Sequence, residues 1–189
     1  MEKIIRDASL EDAEDIAKII MLAFYSDLCN TISNGNGDSG AFDLLKELAS
    51  LPDSQYSYRN TIICEVDGKT AGGICGYDGG KLHVLRKQLI ASLQKRGWRT
   101  PDNLTDETKE GEFYLDSLAV YPDFRGMRIA SDLIDAATAR AARMGFHYAG
   151  LLVDIENPEA EKLYTRLGFS RIDTTLFLGH SMYHMQKAL

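Results

Sequence analysis

The stretch that decides the fold is LAVYPDFRGMRIASDLI, from Leu118 to Ile134, in which the end of a strand leads through a short basic link into a helix. The first N–H groups of a helix lack intrahelical partners and carry a partial positive charge. A strand that runs directly into such a helix end therefore makes a site for phosphate groups, which Arg125 and Arg128 would strengthen. Taken alone, the link can equally be a surface loop whose two arginines are solvated.

The segments on either side of this stretch alternate between predicted strands and helices. The clearest hairpin joins 61–66 to 70–77 through the Asp67-Gly68 turn. Ser9 is expected to cap the first helix and Asn157 the last. Further strands are predicted at Ile4-Ile5, 112–120, 147–155 and twice within 169–187, and further helices at 41–50, 82–93 and 126–144. Residues 81–110 are interpreted as a helix and polar loop inserted before the central strand, forming a lid or an acceptor wall.

Length and charge limit the classes of protein to which the chain can belong. With 189 residues, 44% of them hydrophobic, it is long enough for one buried core, so we expect a single domain over 1–189. The net charge of −7 argues against nucleic-acid binding, which normally needs a basic face. The charged start is unlike a signal peptide, and the most apolar stretch, Ile16–Phe24, is far shorter than the ~20 residues that span a bilayer. We expect a cytoplasmic monomer or homodimer without a membrane partner.

The cysteines and histidines give no sign of a metal site. Cys29, Cys64 and Cys75 have no metal-ligand spacing. Counting outward from the hairpin turn, Cys64 faces Ala71 and Cys75 faces Asn60, which separates the two thiols by ~13 Å, too far for a disulfide. We therefore expect reduced thiols. The four histidines are expected to be structural or exposed: His83, His147, His180 and His184.

The basic link resembles a known motif. Arg125-Gly126-Met127-Arg128-Ile129-Ala130 is similar to the Gln/Arg-x-x-Gly-x-Gly/Ala motif with which the GNAT superfamily of N-acetyltransferases binds acetyl-CoA. The first and last positions fit, whereas Arg128 stands where the family has its middle glycine. Glycine there lets the backbone approach the pyrophosphate without a clash. Arginine keeps the amide donor and adds charge, but its stem must point away.

A second stretch carries the same resemblance. Asn157, Ala160, Tyr164 and Gly168-Phe169 match the family signature Asn-x-x-Ala-x-x-x-Tyr-x-x-x-Gly-Phe with its spacing throughout. In the family the asparagine contacts the pantetheine or acetyl region, and the tyrosine lies beside the thioester sulfur. The alternative for Tyr164 is a core position with a satisfied hydroxyl, since it shares a helix face with Ala160. Two motifs in the family's order, separated by one strand, favour the functional interpretation.

The resemblance implies an α+β fold, a single GNAT-like domain with a mixed, mostly antiparallel sheet of about six to seven strands and about four helices. It implies acetyl-CoA as co-substrate, no metal, and a small-molecule or peptide amine as acceptor. In the family the pantetheine arm pairs with the central strand, which splays from the next strand to open a slot for the thioester. The cofactor-binding residues it implies are Leu118, Ala119, Val120, Arg125, Gly126, Met127, Arg128, Ile129, Ala130, Ser131, Asn157 and Tyr164.

Acetyl transfer to an amine is aminolysis of a thioester, and the amine must first lose its proton. A lysine-like amine has a pKa of ~10.4, so a base or a desolvated pocket must help at neutral pH. Alternation places five residues on one face of the central strand: Glu112, Tyr114, Asp116, Leu118 and Val120. Because family bases often lie on this strand, Asp116 is the first candidate base and Glu112 the second, the alternative being solvated strand ends or structural caps. Tyr164 is the candidate acid for the leaving thiolate.

Two other functions remain open beside the favoured N-acetyltransferase. A non-catalytic module that holds acyl-CoA as a sensor would carry the same motifs, and the departure at Arg128 makes it the main alternative. Amine-dependent hydrolysis of acetyl-CoA would separate these two. An unrelated nucleotide-binding α/β protein would be protected by ATP and not by CoA.

Overall fold

The computed structural model describes residues 1–24, 26–100 and 104–189, so part of the 81–110 insertion lies outside the described residues. Seven strands form one sheet: β1 (Lys3–Asp7), β2 (Thr61–Val66), β3 (Lys69–Asp78), β4 (Phe113–Val120), β5 (Tyr148–Asp154), β6 (Ser170–Phe177) and β7 (His180–Ala188). Six α-helices accompany them within the described ranges: α1 (Ala13–Ala23), α2 (Ser26–Ile32), α3 (Gly37–Ser50), α4 (Leu82–Lys95), α5 (Ile129–Arg143) and α6 (Pro158–Arg166).

The sheet is mixed, with the strand order β1-β2-β3-β4-β5-β7-β6. β4 and β5 are parallel, and the other neighbouring pairs are antiparallel. The predicted α+β fold with a mostly antiparallel sheet of six to seven strands is confirmed. The described helices exceed the expected four, in part because the segment after α1 forms α2, whose Cys29 and Ile32 are buried in the cluster shared with α1 and α3.

The two faces of the sheet pack into different hydrophobic cores. Ile62 packs with Leu133 of α5, whereas its neighbour Ile63 packs with residues of α1 and α3, as strand alternation requires. Leu89 and Leu93 of α4 join the second core. The predicted insertion therefore starts with a helix that is packed against the helices before it.

β4 and β5 pair only where they begin. Phe113 opposes Ala149 and Tyr114 opposes Gly150, and no further pair follows between the two described strands. The backbone of β4 from Asp116 to Val120 therefore lacks a described strand partner on the β5 side. This separation is the splay that the family resemblance implies for the thioester slot.

A β-bulge sets Asp116 outside the regular register of β4. Cys75 of β3 opposes Ser117, and the next residue, Gly76, opposes Leu115. Asp116 is therefore the extra residue of the bulge. Bulges commonly lie beside active sites, where they change the direction of a side chain.

The same bulge corrects the predicted alternation of β4. The expectation that alternate residues from Glu112 to Val120 share one face is wrong, because an extra residue reverses the alternation beyond it. Leu118 and Val120 pack against the same core as Leu115, whereas Tyr114 packs in a separate cluster.

A second bulge changes the cysteine geometry. Next to the hairpin turn, β2 and β3 pair in the predicted register, with Glu65 opposite Thr70. The register shifts by one residue between Glu65 and Cys64. Cys64 consequently opposes Gly72, and Cys75 opposes Thr61, one residue from the expected partners. The offset between the two thiols is three residues, about 10 Å, instead of four. All three cysteines are buried, and none is in a disulfide within the described chain.

Candidate active site

The separation of β4 from β5 opens a cavity of about 1080 Å³, here called the main cavity. One side is formed by Asp116, Ser117 and Leu118 of β4 together with 152–154 of β5. The start and the middle of α6 contribute a second set: Asn157, Ala160 and Tyr164. The remaining walls come from α1, α2, the polar loop of the insertion and the β6–β7 turn, including Phe24, Leu28, Arg99, Leu104, Thr105 and 176–180.

The predicted cofactor residues fall into two groups. Leu118, Asn157 and Tyr164 line the main cavity. Ala119 and Val120 continue β4 beyond it, and 125–131 form the link and the first residues of α5. A ligand that uses both groups would therefore run along β4 from the cavity to the N-terminal end of α5.

The N-terminal end of α5 presents unpaired amides, as the sequence predicts, but the helix begins later than expected. Arg128 caps it in the left-handed conformation, with φ 61° and ψ 14°, and Gly126 has φ 80°. Two positive φ angles exclude regular helix there, so α5 starts at Ile129 and not at Gly126. The first intrahelical bond runs from the Asp132 N–H to the Arg128 carbonyl (3.0 Å). The N–H groups of the first residues of α5, from Ile129 to Ser131, therefore have no helical carbonyl one turn earlier to which they could donate.

The left-handed conformation gives a physical reason for the family's glycine at position 128. A residue with a side chain adopts it at a cost of about 1–2 kcal/mol, whereas glycine does so without strain. The side chains of Arg125 and Arg128 are exposed, and within the described ranges neither forms an ion pair. Both guanidinium groups are therefore available to an anionic ligand.

The second motif places two polar side chains in the main cavity. Asn157 caps α6, its Oδ1 accepting a hydrogen bond of 3.1 Å from the Ala160 N–H. The Tyr164 ring packs edge-on against Phe169, with 6.0 Å between centroids. Burial raises the pKa of Tyr164 to about 12. Its hydroxyl is therefore protonated at neutral pH and can act as a donor.

Asp116 is held in the cavity wall by three donors. Its Oδ2 accepts hydrogen bonds from the Tyr77 hydroxyl (2.9 Å) and Gln55 Nε2 (3.2 Å), and its Oδ1 accepts one from the Ser117 hydroxyl (2.6 Å). Burial raises the pKa of Asp116, and this effect exceeds the lowering by the three hydrogen bonds. A carboxylate with a raised pKa is a stronger base than an ordinary aspartate.

A second acid, Glu107 of the insertion, shares two of these donors. Its Oε1 lies 2.8 Å from Gln55 Nε2 and 3.2 Å from the Tyr77 hydroxyl. Its Oε2 forms an ion pair with Arg86 of α4, and both side chains are almost fully buried. Burial raises the pKa of Glu107 to about 7, the Asp116 carboxylate adds to the rise, and Arg86 opposes it. Two carboxylates thus face one buried guanidinium.

Glu112, the second candidate base, lies outside the main cavity and is 1% exposed. Its carboxylate accepts hydrogen bonds from Thr108 (2.7 Å) and Gln186 (2.6 Å), and it lies 2.9 Å from His184 Nε2. Burial acts to raise the pKa of Glu112, but the hydrogen bonds, led by that with His184, outweigh it and lower the pKa. Glu112 therefore links the start of β4 to β7.

The histidines occupy different environments. His180, expected to be structural or exposed, is half-buried in the wall of the main cavity, with Nδ1 3.0 Å from Oδ2 of Asp154. His184 contacts Glu112 in the interior, and His83 contacts Asp106 at the surface. Among the described residues, no group of three or more potential ligands is arranged to hold a metal ion. Across the same residues, no helix has the length and apolar character needed to cross a membrane.

Sequence reasoning missed five residues around Asp116: Gln55, Tyr77, Arg86, Glu107 and Ser117. One signal was present, because Arg86 recurs at helical spacing with Leu82, Leu89 and Leu93, all buried. A charged residue on an apolar helix face needs a buried partner. Nothing local identifies that partner, since Glu107 lies in a loop without regular structure.

Comparison with known proteins agrees with this geometry. Residues 24–169 match the model of the acetyltransferase (GNAT) family. Over 107 residues the chain is 30% identical to an uncharacterized N-acetyltransferase of Methanocaldococcus jannaschii, covering 57% of this chain and 37% of that protein. The chain thus spans little more than a third of the length of this relative.

Solved structures show the same fold over the whole length. One acetyltransferase superposes with a TM-score of 0.84 at 32% identity, covering 98% of each chain. An N-acetyltransferase from Staphylococcus aureus Mu50 has a TM-score of 0.80 at 23% identity, covering 97% of this chain and 99% of that one. The PaiA N-acetyltransferase of Thermoplasma acidophilum, solved in complex with coenzyme A, has a TM-score of 0.58 at 15% identity, covering 100% of each chain. The last two comparisons show the fold alone.

The splayed sheet, the open helix end and the two motifs together define the acetyltransferase class of protein. Since the family model covers well over half of the residues, the chain belongs to the acetyltransferase (GNAT) family. The resemblance stated from the sequence is confirmed, and with it the enzyme class. Members of this family use acetyl-CoA and act on amine acceptors.

Proposed function

We propose that the protein transfers an acetyl group from acetyl-CoA to a primary amine of a small molecule or peptide by direct aminolysis. The observation that carries this proposal is the open edge of β4, which runs beside Asp116 in a cavity that Asn157 and Tyr164 also line. Such an edge accepts an extended ligand like an added strand, as in other β-augmentation sites.

The residues of the two motifs fit the parts of acetyl-CoA. The pyrophosphate would lie against the first amides of α5, where the helix dipole, Arg125 and Arg128 favour negative charge. The pantetheine arm would pair with the backbone of 118–120. The thioester would then lie in the main cavity between Asp116 and Tyr164. The positions of these residues along β4, α5 and α6 support this course.

Asp116 is the proposed base. It lines both the main cavity and a smaller cavity beside it. A deprotonated Asp116 takes one proton from the ammonium group, directly or through a water, and the neutral amine attacks the thioester carbonyl. The tetrahedral adduct then breaks the C–S bond and expels the CoA thiolate, which receives the second proton from the nitrogen. Glu112 is proposed as a structural residue, because its carboxylate is buried elsewhere and fully hydrogen-bonded.

Tyr164 is the proposed donor to the leaving sulfur. A thiol has a pKa of ~8.5, well below the value of about 12 for Tyr164, so the hydroxyl stabilises the departing thiolate by a hydrogen bond without giving up its proton outright. We propose that the whole chain works as one domain and that the loop after α4 forms part of the acceptor wall, since Leu104 and Thr105 line the main cavity.

The test has two independent measurements. Acetyl-CoA should raise the melting temperature, by an amount that corresponds to ~2.7 kcal/mol at a hundredfold excess over Kd, while ATP and NAD should not. A panel of amines and peptide N-termini should then release free CoA thiol in an amine-dependent way. No thermal shift with acetyl-CoA would overturn the assignment. Binding without release for any amine would favour the acyl-CoA sensor.

A further inference from the structure

We propose that a second cavity beside Asp116, of about 70 Å³ and here called the small cavity, is the subsite for the primary ammonium group of the acceptor, and that it selects amines whose amine-bearing carbon has no carboxylate. This inference rests on the proposed function and names the substrate class of the same site.

The small cavity opens from the main cavity. The two share seven lining residues: Phe24, Leu28, Leu104, Tyr114, Asp116, Phe177 and Leu178. The small cavity adds Gln55 and Glu107, which are buried polar residues, and apolar walls that include Ile32 and Leu89. It therefore has room for a headgroup of a few atoms, with its polar wall at Asp116 and its remaining walls suited to an alkyl stem.

Gln55 gives independent support for a hydrogen-bond donor on the ligand. Its side chain is 96% buried, and its Oε1 finds no hydrogen-bond donor in the described part of the chain. With both acids ionised, reversing the amide would turn Oε1 toward the carboxylates of Glu107 and Asp116, which Nε2 now faces. A buried acceptor without a partner is costly. An ammonium group carries three donors and would satisfy it together with the carboxylates.

The charges of the cluster favour a cation over an anion. Arg86 is the one guanidinium in the lining of the small cavity among the described residues. The donors of its two terminal nitrogens are already directed to the carbonyls of Leu104 (3.0 Å) and Thr105 (3.2 Å) and to the carboxylates of Asp106 and Glu107. These terminal nitrogens are therefore not available to a substrate carboxylate. A carboxylate on the amine-bearing carbon would lie close to Asp116 and Glu107 and would be repelled.

The substrate test uses three probes with the same alkyl chain: n-butylamine, norvaline and norvalinamide. Norvaline adds a carboxylate to the amine-bearing carbon, and norvalinamide adds a neutral group of equal size. We expect n-butylamine and norvalinamide to be acetylated with a kcat/KM at least about tenfold above that of norvaline, measured by free thiol release. Equal values for norvaline and norvalinamide would overturn the proposal.

The residue test compares two neighbouring acids that both contact Arg86. Glu107→Gln removes a charge from the small cavity and should raise the KM for n-butylamine about tenfold or more, with little change in the KM for acetyl-CoA. Asp106→Asn removes the same charge from a half-exposed side chain that lines neither cavity, and it should leave both constants nearly unchanged. Gln55→Met, which removes the orphan oxygen and keeps the Arg86–Glu107 pair, should act like Glu107→Gln. Equal effects of Glu107→Gln and Asp106→Asn would contradict the subsite.

A binding measurement separates this proposal from the proposed function. In the presence of CoA, n-butylammonium should raise the melting temperature of the wild type and of Asp106→Asn, but not that of Glu107→Gln or Gln55→Met. A rise in the melting temperature without any acetyl transfer would support the subsite and count against the transferase. Transfer without this dependence on Glu107 and Gln55 would overturn the subsite and leave the transferase intact.

Discussion

The Tyr77 hydroxyl donates a hydrogen bond of 2.9 Å to Oδ2 of Asp116, the residue that the β4 bulge adds to the strand. Tyr77 is buried on the neighbouring strand, and burial raises its pKa well above the ordinary value, so it remains a donor across the working pH range. The bulge and the hydroxyl together fix the direction of the proposed base.

Replacing Asp116 by Asn should lower turnover by about a hundredfold near neutral pH, the size expected for a positioned base. Burial raises the pKa of Asp116, so the carboxylate is active above that raised pKa. At higher pH the amine deprotonates unaided, and the variant should recover toward the wild type. The measurement is kcat/KM against pH for both proteins, corrected for the ionisation of the amine. Parallel profiles with a constant ratio would mean that Asp116 positions a group without moving a proton.

The raised pKa of Glu107 predicts a pH-dependent stability. Between its ordinary value of 4.5 and about 7, the folded protein binds more protons at Glu107 than the unfolded chain does. The contribution of Glu107 to the free energy of unfolding is therefore fully present below pH 4.5 and falls as the pH rises to about 7. The facing groups that set this pKa are Asp116, Arg86 and Tyr77.

Denaturant unfolding at several pH values checks this prediction. The difference in stability between the wild type and Glu107→Gln should decrease from pH 4.5 to 7 and then stay constant. Asp106→Asn, with its half-exposed side chain, provides the control. A difference that increases with pH in this range would show that Glu107 is ionised throughout.

Replacing Arg125 by Glu should weaken binding of CoA by about tenfold to a hundredfold, the loss expected for a charge-assisted contact. The variant places a negative charge at the N-terminal end of α5, where the pyrophosphate is proposed to bind. Pantetheine lacks the phosphates and should bind nearly as before. Arg143→Glu makes the same charge change at the other end of α5 and should leave CoA binding unaltered. Equal losses for CoA and pantetheine would refute the placement of the phosphates.

Tyr164→Phe should lower turnover by about tenfold or more and leave acetyl-CoA affinity nearly unchanged, because only the hydroxyl is lost. The ring contact with Phe169 is retained, so the fold should be unaffected. Single-turnover measurements are needed to ensure that chemistry limits the rate. Full activity of the variant under those conditions would make Tyr164 a packing residue.

Arg128→Gly and Arg128→Ala separate backbone conformation from charge. Glycine removes the strain of the left-handed conformation, so Arg128→Gly should be more stable than Arg128→Ala by about 1 kcal/mol. Both variants lose the guanidinium and should lose CoA affinity by similar factors. Thermal unfolding and CoA titration of the two variants give both quantities. Equal stabilities would mean that Arg128 is not strained.

The relative positions of the α6 residues proposed for the cofactor could be predicted because they are encoded locally. Asn157 caps α6 and Tyr164 follows two turns later on the same helix, so their relation depends only on helical spacing. The start of α5 was predicted less well. Gly126 and Arg128 have positive φ angles and do not continue the helix. Their conformation depends on how the link leaves β4, and the spacing of apolar residues in the sequence does not reveal it.

The sequence by itself determined the order of the elements and the two motifs that identify the family, since each depends on residues close in the chain. Only the tertiary structure decided the environment of Asp116, the proposed base. Asp116 meets Gln55 across 61 positions and Tyr77 across 39, while Arg86 reaches Glu107 across 21. The physical reason is that sheet pairing and burial bring these residues together. The resulting desolvation, and not the residue types, raises the pKa of both acids.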